Sequence, residues 1–221
     1  MNSGYYTMLG AALGARVYAF EPQVFCVRIV RDLIRARNPH LAPLIDIFNM
    51  GLGTTGVIAV PNGTKCDGFF GEGGIPSVGE EAVDEGTVPI PVVNPQLVLP
   101  LWSRHVALVK MDTEGAEADI LAHLLPWIEA GRIHHLVVEL MPCQWANRAS
   151  SLEAGLATLR RVQAASRRMV ALFDPKGVQG GVQANGTADI GGTSWEGFDL
   201  EALMRDRHNR TGAANVWFTF V

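Results

Sequence analysis

The sequence lacks long apolar runs, and none of its segments reaches the roughly 18 residues that a transmembrane helix needs. Its first residues contain neither the charged nor the apolar region of a secretory signal peptide. Basic residues are not in excess, because 18 Lys and Arg stand against 22 Asp and Glu and give a net charge of −4. Membrane insertion and nucleic-acid binding are therefore not expected. We expect a cytoplasmic protein that consists of a single domain over residues 1–221.

Cysteine is scarce, and the three residues present, Cys26, Cys66 and Cys143, have no short spacing between them. Zinc sites and disulfide-rich domains both need denser and more regular sets of ligands or thiols. We therefore expect reduced thiols. The six histidines show no ligand spacing either, so no metal site is predicted. A divalent ion held by the oxygen atoms of Asp112 and Glu114 remains the alternative.

Apolar segments of strand length alternate with segments of helical periodicity along most of the chain. Helices are predicted at residues 4–14, after Pro22, after residue 116 and after residue 151. Strands are predicted over residues 16–20, 44–50, 106–111, 133–140, 169–173 and 215–221. This alternation predicts an α/β fold with a doubly wound, mostly parallel sheet that helices cover on both faces.

A glycine-rich motif follows the second predicted strand. Residues 51–56 read Gly-Leu-Gly-Thr-Thr-Gly and fit the G-x-G-x-x-G fingerprint of dinucleotide-binding enzymes. That fingerprint needs a helix after the third glycine, whereas residues 57–60 are mostly β-branched. We therefore interpret the motif as a turn into a hairpin, with NAD binding as the weaker alternative. Pro89 and Pro91 predict an edge strand or an irregular strand over residues 88–93, because proline cannot donate to a sheet.

Acidic residues follow two of the predicted strands. Glu21 follows the strand over residues 16–20, and Asp112 and Glu114 follow the strand over residues 106–111. Ligands of open α/β sheets bind at the carboxyl ends of the strands, so we expect these acids to face a pocket. A structural interpretation is also open. Asp112 or Thr113 would then cap the next helix, and Glu21 would stabilise a helix amino terminus through the helix dipole.

Four segments occur in a characteristic order: Gly4-Tyr5-Tyr6-Thr7, Val-Tyr-Ala-Phe-Glu-Pro at 17–22, Val-Lys-Met-Asp-Thr-Glu-Gly-Ala-Glu at 109–117, and Val-Val-Glu at 137–139. Together they resemble the FkbM-type S-adenosylmethionine-dependent methyltransferases. The resemblance spans residues 2–140, and the third segment is its most specific part. It implies a class I methyltransferase fold, which is Rossmann-like, with S-adenosylmethionine as the cofactor. It also implies O-methylation of a small-molecule or saccharide-like hydroxyl.

The resemblance also implies roles for individual residues. The segment from Asn2 to Tyr6 would lie at the methionine end of the cofactor, Glu21 would bind the ribose, and Met50 with Gly51 would flank the adenine. The implied cofactor-binding residues are Asn2, Gly4, Tyr5, Tyr6, Glu21, Pro22, Met50, Gly51 and Asp112. The candidate general bases for the hydroxyl are Asp112, Glu114 and Glu139, in that order, with His135 behind them. Acceptor specificity is expected in the segments 63–86 and 177–192.

The sequence departs from the family at its start. Members carry an apolar strand and an Asp-x-Gly-Ala-Asn segment before the Gly-Tyr-Tyr segment, whereas Gly4 here directly follows Met1 to Ser3. We therefore expect a truncated chain in which the first, central strand of the sheet is missing, which would leave backbone edges unpaired. One alternative is a non-catalytic methyltransferase remnant or interaction module, and another is an NAD-binding enzyme that uses residues 51–56.

Overall fold

The computed structural model describes residues 4–63, 66, 86–102, 104–148, 150–172, 188–189 and 194–221. The chain divides into two compact units, which comprise residues 1–94 and 95–221. The expected single domain therefore stays a prediction. The two segments expected to set acceptor specificity lie almost wholly outside the described residues.

The first unit combines two short helices with two small sheets. Its elements are α1 (Tyr5–Ala12), β1 (Val17–Phe20), α2 (Val24–Arg37), a 3-10 helix (Pro39–Leu44), β2 (Ile45–Phe48), β3 (Gly51–Leu52), β4 (Gly56–Pro61) and β5 (Thr87–Val93). β1 and β2 form a parallel pair that runs from Val17 opposite Ile45 to Phe20 opposite Phe48. The other sheet has the order β3-β5-β4. The apolar stripe that helical spacing predicts on α2 is buried only in part, because Val30 and Ile34 are buried whereas Ile29 and Leu33 are exposed.

Strand β5 corrects the expectation of an edge strand, because it is the central strand of its sheet. β4 pairs with β5 along its whole length, whereas β3 reaches only Val92 and Val93. The N–H of Gly53 donates to the carbonyl of Val93. The backbone N–H and C=O groups of Val93, and of every second residue before it in β5, therefore point toward the side of β3. Pro89 and Pro91 belong to that alternate set. β3 is parallel to β5 and begins opposite Val92, so the missing N–H groups of Pro89 and Pro91 fall before the start of β3.

The glycine-rich motif leads into strands and not into a helix. Gly51 begins β3 and Gly56 begins β4, which pairs antiparallel with β5. Gly53 between them adopts a φ of 146°, which is strained for any residue with a side chain. The turn and the hairpin-like strand expected from the sequence are present, and the helix that a dinucleotide fingerprint needs is replaced by β4.

The second unit contains a six-stranded sheet with the order β6-β7-β11-β8-β10-β9. Its elements are α3 (Pro95–Trp102), β6 (Val106–Met111), α4 (Glu117–Glu129), β7 (Ile133–Leu140), a 3-10 helix (Pro142–Arg148), α5 (Leu152–Ala165), β8 (Arg168–Leu172), β9 (Ala188–Asp189), β10 (Ser194–Glu196), α6 (Leu200–Asn209) and β11 (Ala214–Thr219). β6 and β7 are parallel, and β11 lies antiparallel to both β7 and β8.

The fold is α/β with mixed sheets, as the alternation of elements predicts, and it is compatible with a Rossmann-like arrangement. The sheets are not mostly parallel, because β11 enters between β7 and β8 in the opposite direction and β10 pairs antiparallel on both sides. Apolar periodicity identifies a strand but does not encode its direction or its neighbours. This finer part of the fold prediction is therefore corrected.

A disulfide bond joins Cys26 of α2 to Cys66, across a sequence separation of 40 residues. It corrects the expectation that all three thiols are reduced, because the fold brings two distant Cα atoms to 5.0 Å. Cys143 is a free thiol, and partial burial raises its pKa. Disulfides are typical of oxidising compartments, and the cytoplasmic location stays a prediction. In the described part of the chain, no helix combines the length and the apolar content that crossing a bilayer requires.

Candidate active site

Two carboxylates lie side by side at the carboxyl end of the parallel pair β6–β7. Met111 is opposite Val138 in this pair, so Asp112 and Glu139 are the next residues along their strands. On its other side, Glu139 is opposite Asn215 of β11. Carboxyl ends of parallel strands are where α/β proteins bind ligands. The structure thus brings together two of the three predicted catalytic acids.

The carboxylates occupy the less buried face of the sheet. In β7, alternate residues point to opposite faces, and Leu136, Val138 and Leu140 are completely buried. Glu139 lies on the other face and is half-buried. The buried residues of β7 thus pack into the core on one face of the sheet, whereas the carboxylates lie on the other face and retain access to solvent or to a ligand.

The environment of Glu139 favours its neutral form. Burial raises its pKa to about 7, and the nearby charge of Asp112 and a hydrogen bond with that side chain act in the same direction. Lys110 opposes this rise, whereas Glu114 adds to it. The Nζ atom of Lys110 lies 3.6 Å from Oδ2 of Asp112. Glu139 therefore holds its proton to a higher pH than an ordinary carboxyl group does, beside the carboxylate of Asp112.

The loop that leaves β6 is held in an unusual backbone conformation. Glu114 has a φ of 52° and Gly115 has a φ of 105°, so two consecutive residues lie at positive φ. A Cβ atom on Gly115 would lie 2.5 Å from Cβ of Gln144. Only glycine fits at residue 115, and the loop position of Glu114 is fixed by this close approach to the 3-10 helix at Pro142–Arg148.

Glu117, at the start of α4, is the anchor of this loop and is completely buried. Its Oε1 accepts hydrogen bonds from Thr113 Oγ1 (2.9 Å) and from the N–H of Gly115 (2.8 Å). Its Oε2 accepts from the indole N–H of Trp145 (3.1 Å) and from the N–H of Met141 (3.4 Å). A buried carboxylate is tolerated when its oxygens are satisfied in this way. Glu117 therefore builds the loop and is not available for proton transfer.

This arrangement corrects the capping interpretation of the acidic cluster. The N-cap residue of α4 is Ala116, and no side chain caps it. Asp112 and Thr113 are therefore not helix caps. Glu117 accepts instead from the N–H of Gly115, which lies two residues before the start of α4. Glu117 was not among the predicted site residues. The available signal was an acid at the first position of a helix that is apolar except for Asp119, His123 and its last residue, Glu129.

Trp145 completes the support for the loop. It is fully buried, and its ring packs on Gly155 of α5 so closely that a Cβ atom there would lie 2.3 Å from its Cε3. Glycine within α5 thus makes room for the indole that donates to Glu117. The carboxylate pair is held by a strand pair on one side and by this buried framework on the other.

In the first unit, Glu21 follows β1 and is buried, with 4% of its surface exposed. Its N–H donates to the carbonyl of Phe48 (3.1 Å), and Asn49 Nδ2 donates to its carbonyl (2.9 Å). Its Oε1 accepts from the N–H of Gln23, the N-cap of α2 (2.9 Å). This contact agrees with the structural interpretation, in which Glu21 serves the amino terminus of α2.

The other residues implied to bind the cofactor also lie in the first unit. Met50 and Gly51 follow β2, so they share the carboxyl end of the β1–β2 pair with Glu21 and with Pro22, whose carbonyl also accepts from Asn49 Nδ2. Gly4 is the N-cap of α1, and a Cβ atom there would lie 2.7 Å from Cγ1 of Val30.

Tyr5 and Tyr6, in the first turn of α1, are both exposed, and their rings are in edge contact. Asn2 lies outside the described residues. Because Glu21 and Asp112 belong to different units, the expectation that they share one cleft stays a prediction.

His135, the last of the candidate bases, lies away from Glu139 along β7. It precedes Glu139 by four residues, which is about 13 Å along a strand. Its Nδ1 accepts a long hydrogen bond from the indole N–H of Trp217 and lies 3.4 Å from Oγ1 of Thr219. The place of His135 among the candidate bases stays a prediction.

Within the described ranges, no group of three or more His, Cys, Asp or Glu side chains is arranged to hold a metal ion. Comparison with known proteins finds no relative: no protein-family model, no curated protein and no solved structure matches this chain.

Proposed function

We propose that this protein is an S-adenosylmethionine-dependent methyltransferase that methylates a hydroxyl group of a small-molecule or saccharide-like acceptor. The proposal includes a class I methyltransferase, Rossmann-like fold. The observation that carries it is the carboxylate pair Asp112–Glu139 at the end of parallel strands, with the pKa of Glu139 raised to about 7. The sequence resemblance supplies the reaction, and the carboxylate pair supplies the base that the reaction needs.

A hydroxyl acceptor must lose its proton as its oxygen becomes bonded to the methyl carbon. A general base works best when its pKa is close to the working pH, because it is then both available and strong enough. Glu139 meets this condition, since burial and the charge of Asp112 shift its pKa from 4.5 to about 7. The side chain of Asp112, whose Oδ2 lies 3.6 Å from Nζ of Lys110, contributes to the raised pKa of Glu139. We therefore assign Glu139 as the base and Asp112 as the residue that tunes and orients it.

The first unit offers residues that fit a nucleoside ligand. Glu21, Met50 and Gly51 lie at the same end of the parallel pair β1–β2, which is where an acid in such a fold binds ribose hydroxyls. When bound, S-adenosylmethionine supplies a methyl group activated by a positively charged sulfur. The contribution of this chain is to orient the acceptor and to remove its proton at a carboxylate oxygen. The rigid loop with Glu114 and Gly115 restricts how the acceptor approaches.

Calorimetric titration with S-adenosylmethionine and, separately, with NAD tests the cofactor assignment. Binding of S-adenosylmethionine alone is expected, and replacing Glu21 by Gln should weaken it about 10-fold through the loss of charge-assisted hydrogen bonds to ribose. Asp46→Asn is the matched control, because Asp46 is an acid of the neighbouring strand that pairs with Arg16. Heat with NAD alone would point to an oxidoreductase. Heat with neither ligand would leave the non-catalytic remnant as the better description.

A second experiment tests the base. Transfer of labelled methyl groups from S-adenosylmethionine to a mixture of monosaccharides is measured from pH 5.5 to 9. The rate should rise with pH through about 7 as Glu139 loses its proton. The variant Glu139→Gln should lose this dependence and be slower by on the order of 100-fold. An unchanged pH profile in Glu139→Gln would remove Glu139 from the role of base.

A further inference from the structure

The first unit contains a cavity of about 310 Å³ beside α2, near the end of β2. The cavity is open to solvent, and its arginines are exposed. Its lining includes three arginines of α2, Arg28, Arg31 and Arg35, together with Val24 and Asn49. This volume is at the lower end of the range for small-molecule sites, about 300 to 1,000 Å³. The cavity is therefore large enough for a compact ligand and carries an unusual density of positive charge.

The arginines of this cavity lie on one stripe of the helix, because they are three and four residues apart. Like charges at these spacings repel each other and destabilise a helix. Arg35 is in the last turn, where the helix dipole favours a cation, but Arg28 and Arg31 are in the interior of α2 and have no such reason. Among the residues that the structure describes, Asp32 is the only acid of the lining, and it lies 4.0 Å from Arg35. The cavity therefore retains an excess of positive charge.

Two polar side chains of the lining are already held in place by the backbone. Nη2 of Arg31 donates to the carbonyl of Ile47 (2.9 Å), which orients its guanidinium against the edge of β2. Asn49 Nδ2 donates to the carbonyls of Glu21 and Pro22. A ligand that meets oriented groups loses less binding energy to ordering them. Val24 and the buried Val27 add an apolar wall to the cavity.

We infer that this cavity binds a small-molecule phosphate ester. The planar guanidinium group presents paired donors that match two phosphate oxygens, and several arginines around one anion are the usual means of phosphate recognition. The volume accommodates a phosphate with a short organic substituent, which the wall of Val24 and Val27 contacts. This inference is drawn from residues of the first unit alone and does not depend on the proposed methyl transfer.

Isothermal titration calorimetry at low ionic strength tests this inference, with glycerol 3-phosphate, inorganic phosphate and glycerol as probes. Glycerol 3-phosphate should bind, inorganic phosphate should bind more weakly, and glycerol should not bind. If inorganic phosphate binds as tightly as the ester, the organic part is not recognised and the assignment to a phosphate ester fails. The absence of heat with both phosphates would overturn the site altogether.

The variants Arg28→Gln and Arg37→Gln identify the place of binding. Both remove one positive charge from the same helix, but only Arg28 lines the cavity. Arg28→Gln should weaken binding of glycerol 3-phosphate at least 5-fold, whereas Arg37→Gln should change it less than 2-fold. Equal losses would mean that the helix attracts anions without a defined site. Arg35→Gln is the second cavity variant, and circular dichroism verifies that each variant is folded.

Discussion

The two units of the chain differ in how they bury their apolar side chains. Among the described residues, the largest fully buried side chains belong to the second unit with the single exception of Val30. By contrast, seven of the ten exposed large hydrophobic side chains belong to the first unit: Tyr5, Tyr6, Leu9, Leu13, Val24, Ile29 and Leu33. The second unit is therefore stabilised mainly by its core, whereas the first has a covalent bond between Cys26 and Cys66 in addition to a smaller core. Small folded units with modest cores commonly depend on such a bond.

The aromatic residues allow the two units to be followed separately. All five tryptophans lie in the second unit, at positions 102, 127, 145, 195 and 217, so tryptophan fluorescence reports on this unit alone. Hydrogen exchange measured on peptides from residues 16–60 reports on the first unit. The comparison between a covalently held unit and a core-stabilised unit can therefore be tested with variants that act on only one of them.

The largest effect is expected from removing the disulfide. Replacing Cys26 and Cys66 by Ser releases a 40-residue loop, which the chain-entropy model values at about 4 kcal/mol. Hydrogen exchange over residues 16–60 should accelerate strongly, while the tryptophan unfolding transition stays in place. Cys143→Ser is the control, since that thiol is free. If both units lose stability to the same extent, the first unit does not depend on the disulfide more than the second unit does.

The next largest effect is expected from Glu117→Ala. This change leaves the N–H of Gly115 and the indole N–H of Trp145 buried without their acceptor, and it should lower the free energy of unfolding by about 3 kcal/mol. The readout is urea unfolding followed by tryptophan fluorescence. Glu129→Ala, at the other end of α4, removes only an exposed ion pair with Arg161 and should cost less than about 1 kcal/mol. Equal costs would contradict the anchoring role of Glu117.

A smaller effect is expected from Gly155→Ala. In a solvent-exposed helix this change would stabilise by about 1 kcal/mol. Here the new Cβ would lie 2.3 Å from Trp145. Because of this overpacking, the substitution should instead lower the free energy of unfolding by about 2 kcal/mol. Urea unfolding gives the free energy, and near-ultraviolet circular dichroism gives the environment of the indole. The control is Ala157→Ser, at an exposed position of the same helix, which should leave the free energy of unfolding almost unchanged. A Gly155→Ala variant that is more stable than the wild type would refute the close packing of residue 155 against Trp145.

The smallest effect is expected from the pH dependence of Glu139. Its pKa is 4.5 when unperturbed and about 7 in the folded protein, so the folded state binds the proton more tightly. The stability that this gives is complete below pH 4.5 and is lost as the pH rises to about 7. Glu139→Gln mimics the protonated form. It should match the wild type at pH 4 and exceed it above pH 7 by about 1 kcal/mol, given that solvent screens a half-buried group. Glu129→Gln should show no such crossover.

Much of the fold could be predicted from apolar periodicity. The strands at 106–111 and 133–140 and the helices that follow them were expected, because their patterns are long and regular. The direction of β11 and the central place of β5 could not be predicted, since neither depends on local sequence. The Cys26–Cys66 bond depends in the same way on a tertiary contact across 40 residues.

The candidate site was predicted in part. Asp112 and Glu139 were both among the candidate bases, and the register of β6 and β7 places them together. Glu117 was overlooked because two of its partners, Met141 and Trp145, are 24 and 28 residues away. The arginines of α2 were visible in the sequence, but the cavity they line is formed only when α2 packs against β2.

The hydrogen bond between Glu117 and the indole of Trp145 has a practical consequence. The same carboxylate holds the backbone of the loop next to Asp112, so any ligand that moves this loop also alters the surroundings of one buried chromophore. Trp145 contributes one part of the emission of the five tryptophans, and we expect that part to change when an acceptor binds beside the carboxylates.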